Sequence, residues 1–230
     1  MIATAAVPSD LDVRAVYDEM RRRYRAAPSP ALAERKANLD KLERAIGRHR
    51  KAIAAALYAD FGKSSYESEF TEIVVTLGEL KSARANLERW MKPQPVRGAL
   101  STFGSSAEVR HEPKGVVLIL APWNYPFQLT IAPLIAALAA GNRCIVRPSE
   151  KAPHTRDVIL TLLREAFPQS DVAGVGGEIE TAQALLELPF DHMFFTGSPR
   201  IGRLVMHAAA EHLVSVTLEL GGKSPCVVTA

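Results

Sequence analysis

Residues 115–126 read Gly115-Val116-Val117-Leu118-Ile119-Leu120-Ala121-Pro122-Trp123-Asn124-Tyr125-Pro126. The unbroken apolar run reads as a buried strand, and two prolines then pin a polar amide, Asn124, between aromatic residues at its end. The alternation recurs downstream. LTIAPLIAALAAG (129–141) reads as a helix, CIVRP (144–148) as a strand and TRDVILTLLREAF (155–167) as a helix. DVAGVG (171–176), ETAQALLEL (180–188), DHMFFTG (191–197), PRIGRLVMHAAAEH (199–212) and VSVTLEL (214–220) continue the pattern. Short apolar strands separated by helices predict a parallel sheet covered on both faces. That is a doubly wound, Rossmann-like α/β domain, whose ligands bind at the carboxyl ends of the strands.

Upstream the chain reads as helical. Residues 10–25 carry a stripe of Leu11, Val13, Val16, Tyr17 and Met20. Ser29-Pro30 signals a second helix. Its stripe of Leu32, Leu39, Leu42, Ile46, Ile53 and Leu57 runs to Phe61-Gly62. A third is expected from Ser65 to Trp90 with Phe70, Ile73, Val74, Leu77, Leu80 and Leu87 inward, stopped by Lys92-Pro93-Gln94-Pro95. The segment 98–113 is small and polar and reads as a hairpin arm. The expected divisions are a helical region 1–97, an arm 98–114, the α/β domain 115–218, and the start of a further region at 219–230.

At 230 residues, 47% hydrophobic and 23% charged, the chain can bury a sizeable core and looks like an ordinary soluble globular protein. The net charge of +3 is too small to suggest nucleic acid. Arg21, Arg22, Arg23 and Arg25 read as a solvated helix face before a nucleic-acid or acidic-membrane patch. Cys144 and Cys226 lie in apolar strand-like runs, where cysteine behaves as a small buried hydrophobe. With no CxxC and no Cys/His clustering they predict neither disulfide framework nor metal site, which fits a reducing compartment. Asp10, Asp12 and Arg14 stand where a signal peptide needs its apolar core, and no apolar stretch is long enough to span a bilayer. A cytoplasmic protein is expected.

The strand ends carry the chemistry. Asn124 is a good donor to a developing oxyanion, or equally a turn former. Arg147-Pro148-Ser149-Glu150 sets a cation and an acid three residues apart: a carboxylate accepts from a ribose 2′-hydroxyl, and an arginine suits a 2′-phosphate. The alternative is a surface ion pair with no ligand. Thr196-Gly197-Ser198-Pro199-Arg200-Ile201-Gly202 opens a helix with N–H groups and a hydroxyl suited to an anion, or simply a cap with close-packed glycine. Gly222-Lys223-Ser224 is no phosphate loop, because Thr217 stands where that motif needs glycine. Glu219, at the end of VSVTLEL, is expected to be desolvated, its pKa raised toward that of a general base. The alternative is a structural carboxylate satisfied by the glycine turn after it.

PWNYPF, RPSE, FFTGSPRIG and LELGGKSP occur in that order on four successive elements. Together they resemble the NAD(P)-dependent aldehyde dehydrogenases. The stretch ADFGKSSYESEFTEI with ERWMKP is similar to the class 3, fatty-aldehyde-type branch. The likeness begins near residue 12 and covers the rest of the chain.

The resemblance implies oxidation of an aldehyde to a carboxylic acid with NAD or NADP. Asn124 would donate to the oxyanion, and Glu219 would activate the water that hydrolyses the thioester. Gly197 through Gly202, with Ser198 central and Pro199, Arg200 and Ile201 between, would lie along the pyrophosphate. Arg147 and Glu150 would flank the adenosine ribose, and Pro122 and Trp123 would line the cleft. Thr196 and the backbone of Leu220 and Gly221 would approach the nicotinamide. The 98–114 arm would bridge subunits of a homodimer, and 219–230 would begin the catalytic domain. The sequence departs from the family twice. Arg147 replaces the usual lysine, and neither Cys144 nor Cys226 holds the nucleophile's position. An N-terminal half, inactive alone, is therefore expected; the alternative is a non-catalytic NAD(P)-binding or partner-binding fragment.

Overall fold

The computed structural model describes residues 12–98 and 104–229. Helix α1 (Val13–Ala26) is capped by Asp12, whose carboxylate accepts from the N–H groups of Arg14 and Ala15. It buries Tyr17 and Met20, while Leu11 lies outside the described residues. Helix α2 (Leu32–Phe61) buries Leu39, Leu42, Ile46, Ile53 and Leu57 and ends at Gly62, whose φ of 68° a side chain would strain.

The third expected helix comes in three parts: α3 (Ser65–Ser68), a π turn (Glu69–Ile73) and α4 (Val74–Met91). Ile73, Leu80 and Leu87 are buried as their spacing predicts, and Leu77 is half-buried, but Phe70 and Val74 are exposed. A π turn holds one residue more than an α turn. The widened turn rotates Phe70 outward and carries Ser68 and Glu72 into the interior.

Strands β1 (Gln94–Val96) and β2 (Ala107–Val109) pair antiparallel, with Pro95 opposite Glu108. The hairpin thus starts upstream of residue 98, on residues read as a helix stop. Proline is tolerated there because the ribbon has only edge strands. Residues 99–103 of the expected arm lie outside the described residues.

The main sheet joins β3 (Val116–Leu120), β4 (Arg143–Arg147), β5 (Val172–Gly174), β6 (His192–Gly197) and β7 (Ser215–Leu220) in the order β5-β4-β3-β6-β7, every pairing parallel. The connecting helices are α5 (Gln128–Ala140), α6 (Pro153–Ala166), α7 (Ile179–Leu186) and α8 (Pro199–Glu211). Side chains alternate between faces along each strand. Val117, Ile119, Cys144 and Val146 join the core built with α5 and α6, onto which α2 and α4 add a further layer. Val116, Leu118, Ile145, Met193 and Phe195 join α1, α7 and α8 on the other face. The chain winds outward from β3 through β4 to β5, then crosses back to β6 and β7. The doubly wound domain expected from the sequence is therefore present, and its switch point lies between β3 and β6.

Cys144 is buried as expected, and desolvation raises its thiol pKa. Cys226, also expected to be buried, is exposed in the irregular segment after β7.

Candidate active site

All the singled-out residues fall along one edge, the carboxyl ends of four neighbouring strands. After β4 come Arg147 and Glu150, after β3 Pro122, Trp123 and Asn124, and at the end of β6 Thr196 and Gly197 with Ser198 through Gly202. Glu219 and Leu220 close β7, with Gly221 beyond. The register sets Leu120 beside Arg147, and Thr196 beside Glu219. Neighbouring strands run about 4.8 Å apart, so Thr196 and Glu219 are adjacent. Both alternate onto the face where the Asn124 loop turns into α5, opposite Phe195 and Leu218.

The loop Ala121–Phe127 joins β3 to α5. Trp123 is half-exposed and stacks on Phe61, ring centroids 6.4 Å apart. Asn124 is exposed. The turn is tied down at both ends by a pair of residues the sequence reading passed over. Lys63 Nζ donates to the Asn124 carbonyl at 3.1 Å and to Glu72 Oε1 at 2.6 Å, and lies 4.2 Å from the centroid of the Tyr125 ring. Glu72 Oε2 accepts from the N–H groups of Phe127 (2.9 Å) and Gln128 (3.2 Å) at the start of α5. The Glu72 side chain is wholly buried and that of Lys63 nearly so. Glu72 lies off the stripe of Phe70, Ile73, Val74 and Leu77 read from the sequence, and the π turn brings it inward.

Arg147 is buried rather than on the surface. Its Nη2 donates to Glu150 Oε2 (3.1 Å), the Gly177 carbonyl (3.1 Å) and the Glu178 carbonyl (2.9 Å), tying β4 to the loop before α7. Its buried Nε has no hydrogen-bond partner among the described residues. Burial works to raise the Glu150 carboxyl pKa. A backbone N–H bond and the charges of Arg147 and Lys151 outweigh it, holding the group below its ordinary value.

At β6, Ser198 caps α8 by accepting from Ile201 N–H at 3.4 Å, with Pro199 in the first turn. Gly202 lets this helix lie on β7: a Cβ there would come within 2.8 Å of Leu220 Cδ2. The first turn of α8, with its N–H groups and positive dipole end, thus overlies the strand end, an anion-binding arrangement. Glu219 departs from expectation. It is exposed, and among the described residues β7 is an edge strand with β6 as its one neighbour.

No cluster of acidic, His or Cys side chains among the described residues could hold a metal.

These strand-end features coincide with a known family. The whole chain, residues 1–230, matches the aldehyde dehydrogenase family. It is 47% identical over 197 residues to the 4,4′-diaponeurosporen-aldehyde dehydrogenase of Staphylococcus aureus, covering 86% of this chain and 43% of that one. It is 46% identical over 210 residues to human aldehyde dehydrogenase family 3 member B1, covering 91% and 45%. Among solved structures, substrate-bound S. aureus AldH superposes with a TM-score of 0.90 at 43% identity, over 93% of this chain and 46% of that one. A Mycobacterium tuberculosis aldehyde dehydrogenase complexed with NAD+ gives 0.81 at 28% identity, over 93% and 44%. The chain spans less than half the length of these relatives. It belongs to the aldehyde dehydrogenase family, with class 3 members among its relatives.

Proposed function

We propose that these residues form the cofactor-binding part, with the oxyanion donor and water-activating base, of an NAD(P)-dependent aldehyde dehydrogenase. One observation carries the reading: four motifs, each suited to one task, sit side by side on the carboxyl edge of a doubly wound sheet at its switch point. The site's own geometry fits a dinucleotide. The α8 N-terminus suits a pyrophosphate, and glycine at 202 permits the close helix packing that brings it over the strand end. The Glu150 carboxylate after β4 suits ribose hydroxyls.

In this reading a cysteine thiolate adds to the aldehyde carbon, and the carbonyl π electrons move onto oxygen. The Asn124 amide N–H donates to that oxyanion as charge develops. A nicotinamide cofactor held by the α8 end and Glu150 would, when bound, accept the hydride whose loss from the oxyanion adduct gives an enzyme thioester. Glu219 takes a proton from water, whose oxygen attacks the thioester carbon; the C–S bond breaks and the acid leaves. Cys144 cannot serve as nucleophile, being buried in the sheet with its thiol held protonated. We assign the role to a cysteine outside these 230 residues, so the chain alone binds cofactor without turning over.

The preferred substrate is an apolar aldehyde, long-chain or aromatic. The 4,4′-diaponeurosporen-aldehyde dehydrogenase of S. aureus, 47% identical, supports this by the apolar substrate in its name. The β1–β2 ribbon, exposed throughout, supports a homodimer in which a second copy covers it, since a lone two-stranded ribbon is marginal in water. A cytoplasmic setting completes the reading. Titration of NAD and NADP into the 230-residue chain, followed by the fluorescence of Trp123, tests it. Saturable quenching with no turnover is expected. Folded, monodisperse protein that binds neither nucleotide would sink the cofactor assignment.

A further inference from the structure

We infer that Lys63 and Glu72 are positioning residues for the oxyanion donor: together they fix the turn that presents Asn124. The inference rests on the aldehyde dehydrogenase reading above, in which Asn124 is that donor.

The Glu72 side chain is wholly buried and that of Lys63 largely so, and each gives its polar atoms to defined partners. Lys63 follows Gly62, whose left-handed conformation ends α2 and turns the chain toward the β3–α5 loop. Glu72 is brought inward by the π turn, one residue before Ile73 of the same core-facing pair. The turn stays in register beneath it through Thr76, whose hydroxyl donates to the Glu72 carbonyl at 2.6 Å.

Between them the two side chains hold opposite ends of one short segment. The ammonium group fixes the Asn124 carbonyl from one end, and the carboxylate fixes the Phe127 and Gln128 N–H groups at the other. A carboxylate at the start of α5 also faces the positive end of its dipole. Asn124 has its carbonyl anchored while the residue stays exposed beyond the carboxyl end of β3. An oxyanion donor is useful only within a few tenths of an ångström of its target, so freedom in the peptide that carries it is lost rate.

The test is a double-mutant cycle in the cysteine-bearing full-length polypeptide, with kcat, KM, NAD binding and thermal unfolding measured for each variant. Lys63→Met is expected to lower kcat about 10–100-fold, less than loss of the donor itself, while NAD affinity stays within about twofold. Asn124→Ala alone lowers kcat further, and Lys63→Met added to it changes little, because the group being positioned is gone. Lys63→Arg, which can keep the ion pair, recovers most of the rate. Glu72→Gln, which can still accept from α5 but loses the charge, gives an intermediate loss. If Lys63→Met costs the same factor with and without Asn124, or only lowers thermal stability at unchanged kcat, the pair is merely structural and the inference falls. A wild type that oxidises no aldehyde would overturn the enzyme reading, and this inference with it.

Discussion

The two faces of the main sheet are built differently. One carries α5 and α6, with α2 and α4 packed over them, and seals the residues of β3 and β4 that face it. The other carries α1, α7 and α8 in a thinner cover that leaves Leu204 and Met206 exposed. The strands differ likewise: all five residues of β3 are buried, whereas β7 exposes Ser215, Glu219 and Leu220. The candidate site is divided between interior and edge strands, not between the two faces. Residues on the interior strands, the Asn124 turn and Arg147, are held by several defined hydrogen bonds each. Among the described residues, Glu219 and Leu220 at the end of β7 are exposed, and the α8 end is held by the Ser198 cap. Pre-organisation belongs to the deep half of the site and is unfinished on the shallow half.

The largest difference is expected between the two cores. Leu42→Ala, in the thick layer, should cost about 2–5 kcal/mol, because a site enclosed on all sides cannot collapse. Leu218→Ala, only partly buried on the edge strand, should cost about 1 kcal/mol. Urea denaturation of both variants decides it, and equal costs would mean the faces are equally packed.

Asp60 tests the thick side by charge. Its carboxylate, buried at the end of α2, accepts from the N–H and ring nitrogen of His154 and the N–H and hydroxyl of Thr155, capping α6 from another helix. Burial alone would raise its pKa; these hydrogen bonds outweigh that and lower it. A carboxyl depressed on folding contributes stability above its unfolded pKa of about 3.9, and loses it as pH falls through the folded value. Asp60→Ala should cost about 2 kcal/mol at pH 7. Wild type should also lose more stability than Asp60→Asn as pH falls below about 4. Parallel pH curves would remove Asp60 from the list of stabilising groups.

These contrasts also mark what the sequence could tell. The run Val116–Leu120 and its alternation with helices identified the sheet, because a strand covered on both faces has no polar side to hide. Ser198-Pro199 announced the α8 cap for an equally local reason. Arg147 was legible as a site residue but not as a buried one. Its partners are the Gly177 and Glu178 carbonyls, thirty residues away, which only the sheet order brings near. Glu72 was hidden because an unforeseen π turn shifted the helix phase. Glu219 was expected to be desolvated because its strand reads as apolar. It is exposed at the end of the strand that lies at the sheet's edge among the described residues, a position no local pattern encodes.

Cofactor choice sharpens the comparison at the β4 end. Arg147 already donates to three oxygens, and Glu150 remains as the nearby anion. A 2′-phosphate would meet a carboxylate there instead of a free fork of donors, so NAD should bind more tightly than NADP. Glu150→Gln should weaken NAD about 10-fold, roughly 1.4 kcal/mol, and narrow the preference. If titration shows NADP the tighter ligand in wild type, Arg147 must leave its internal partners to reach the phosphate.

The smallest effect on the fold, and the most specific on the chemistry, belongs to Glu219. On an exposed edge, Glu219→Gln should alter stability by less than about 0.5 kcal/mol. If the carboxylate activates the hydrolytic water, the same change in the cysteine-bearing enzyme should cut steady-state turnover about 10²–10⁴-fold. A first burst of NADH, near one per site, should survive, because hydride transfer precedes the step that needs the base. Loss of the burst together with turnover would place Glu219 earlier, in deprotonating the nucleophile. Unchanged turnover would mean the shallow half of the site contributes backbone alone.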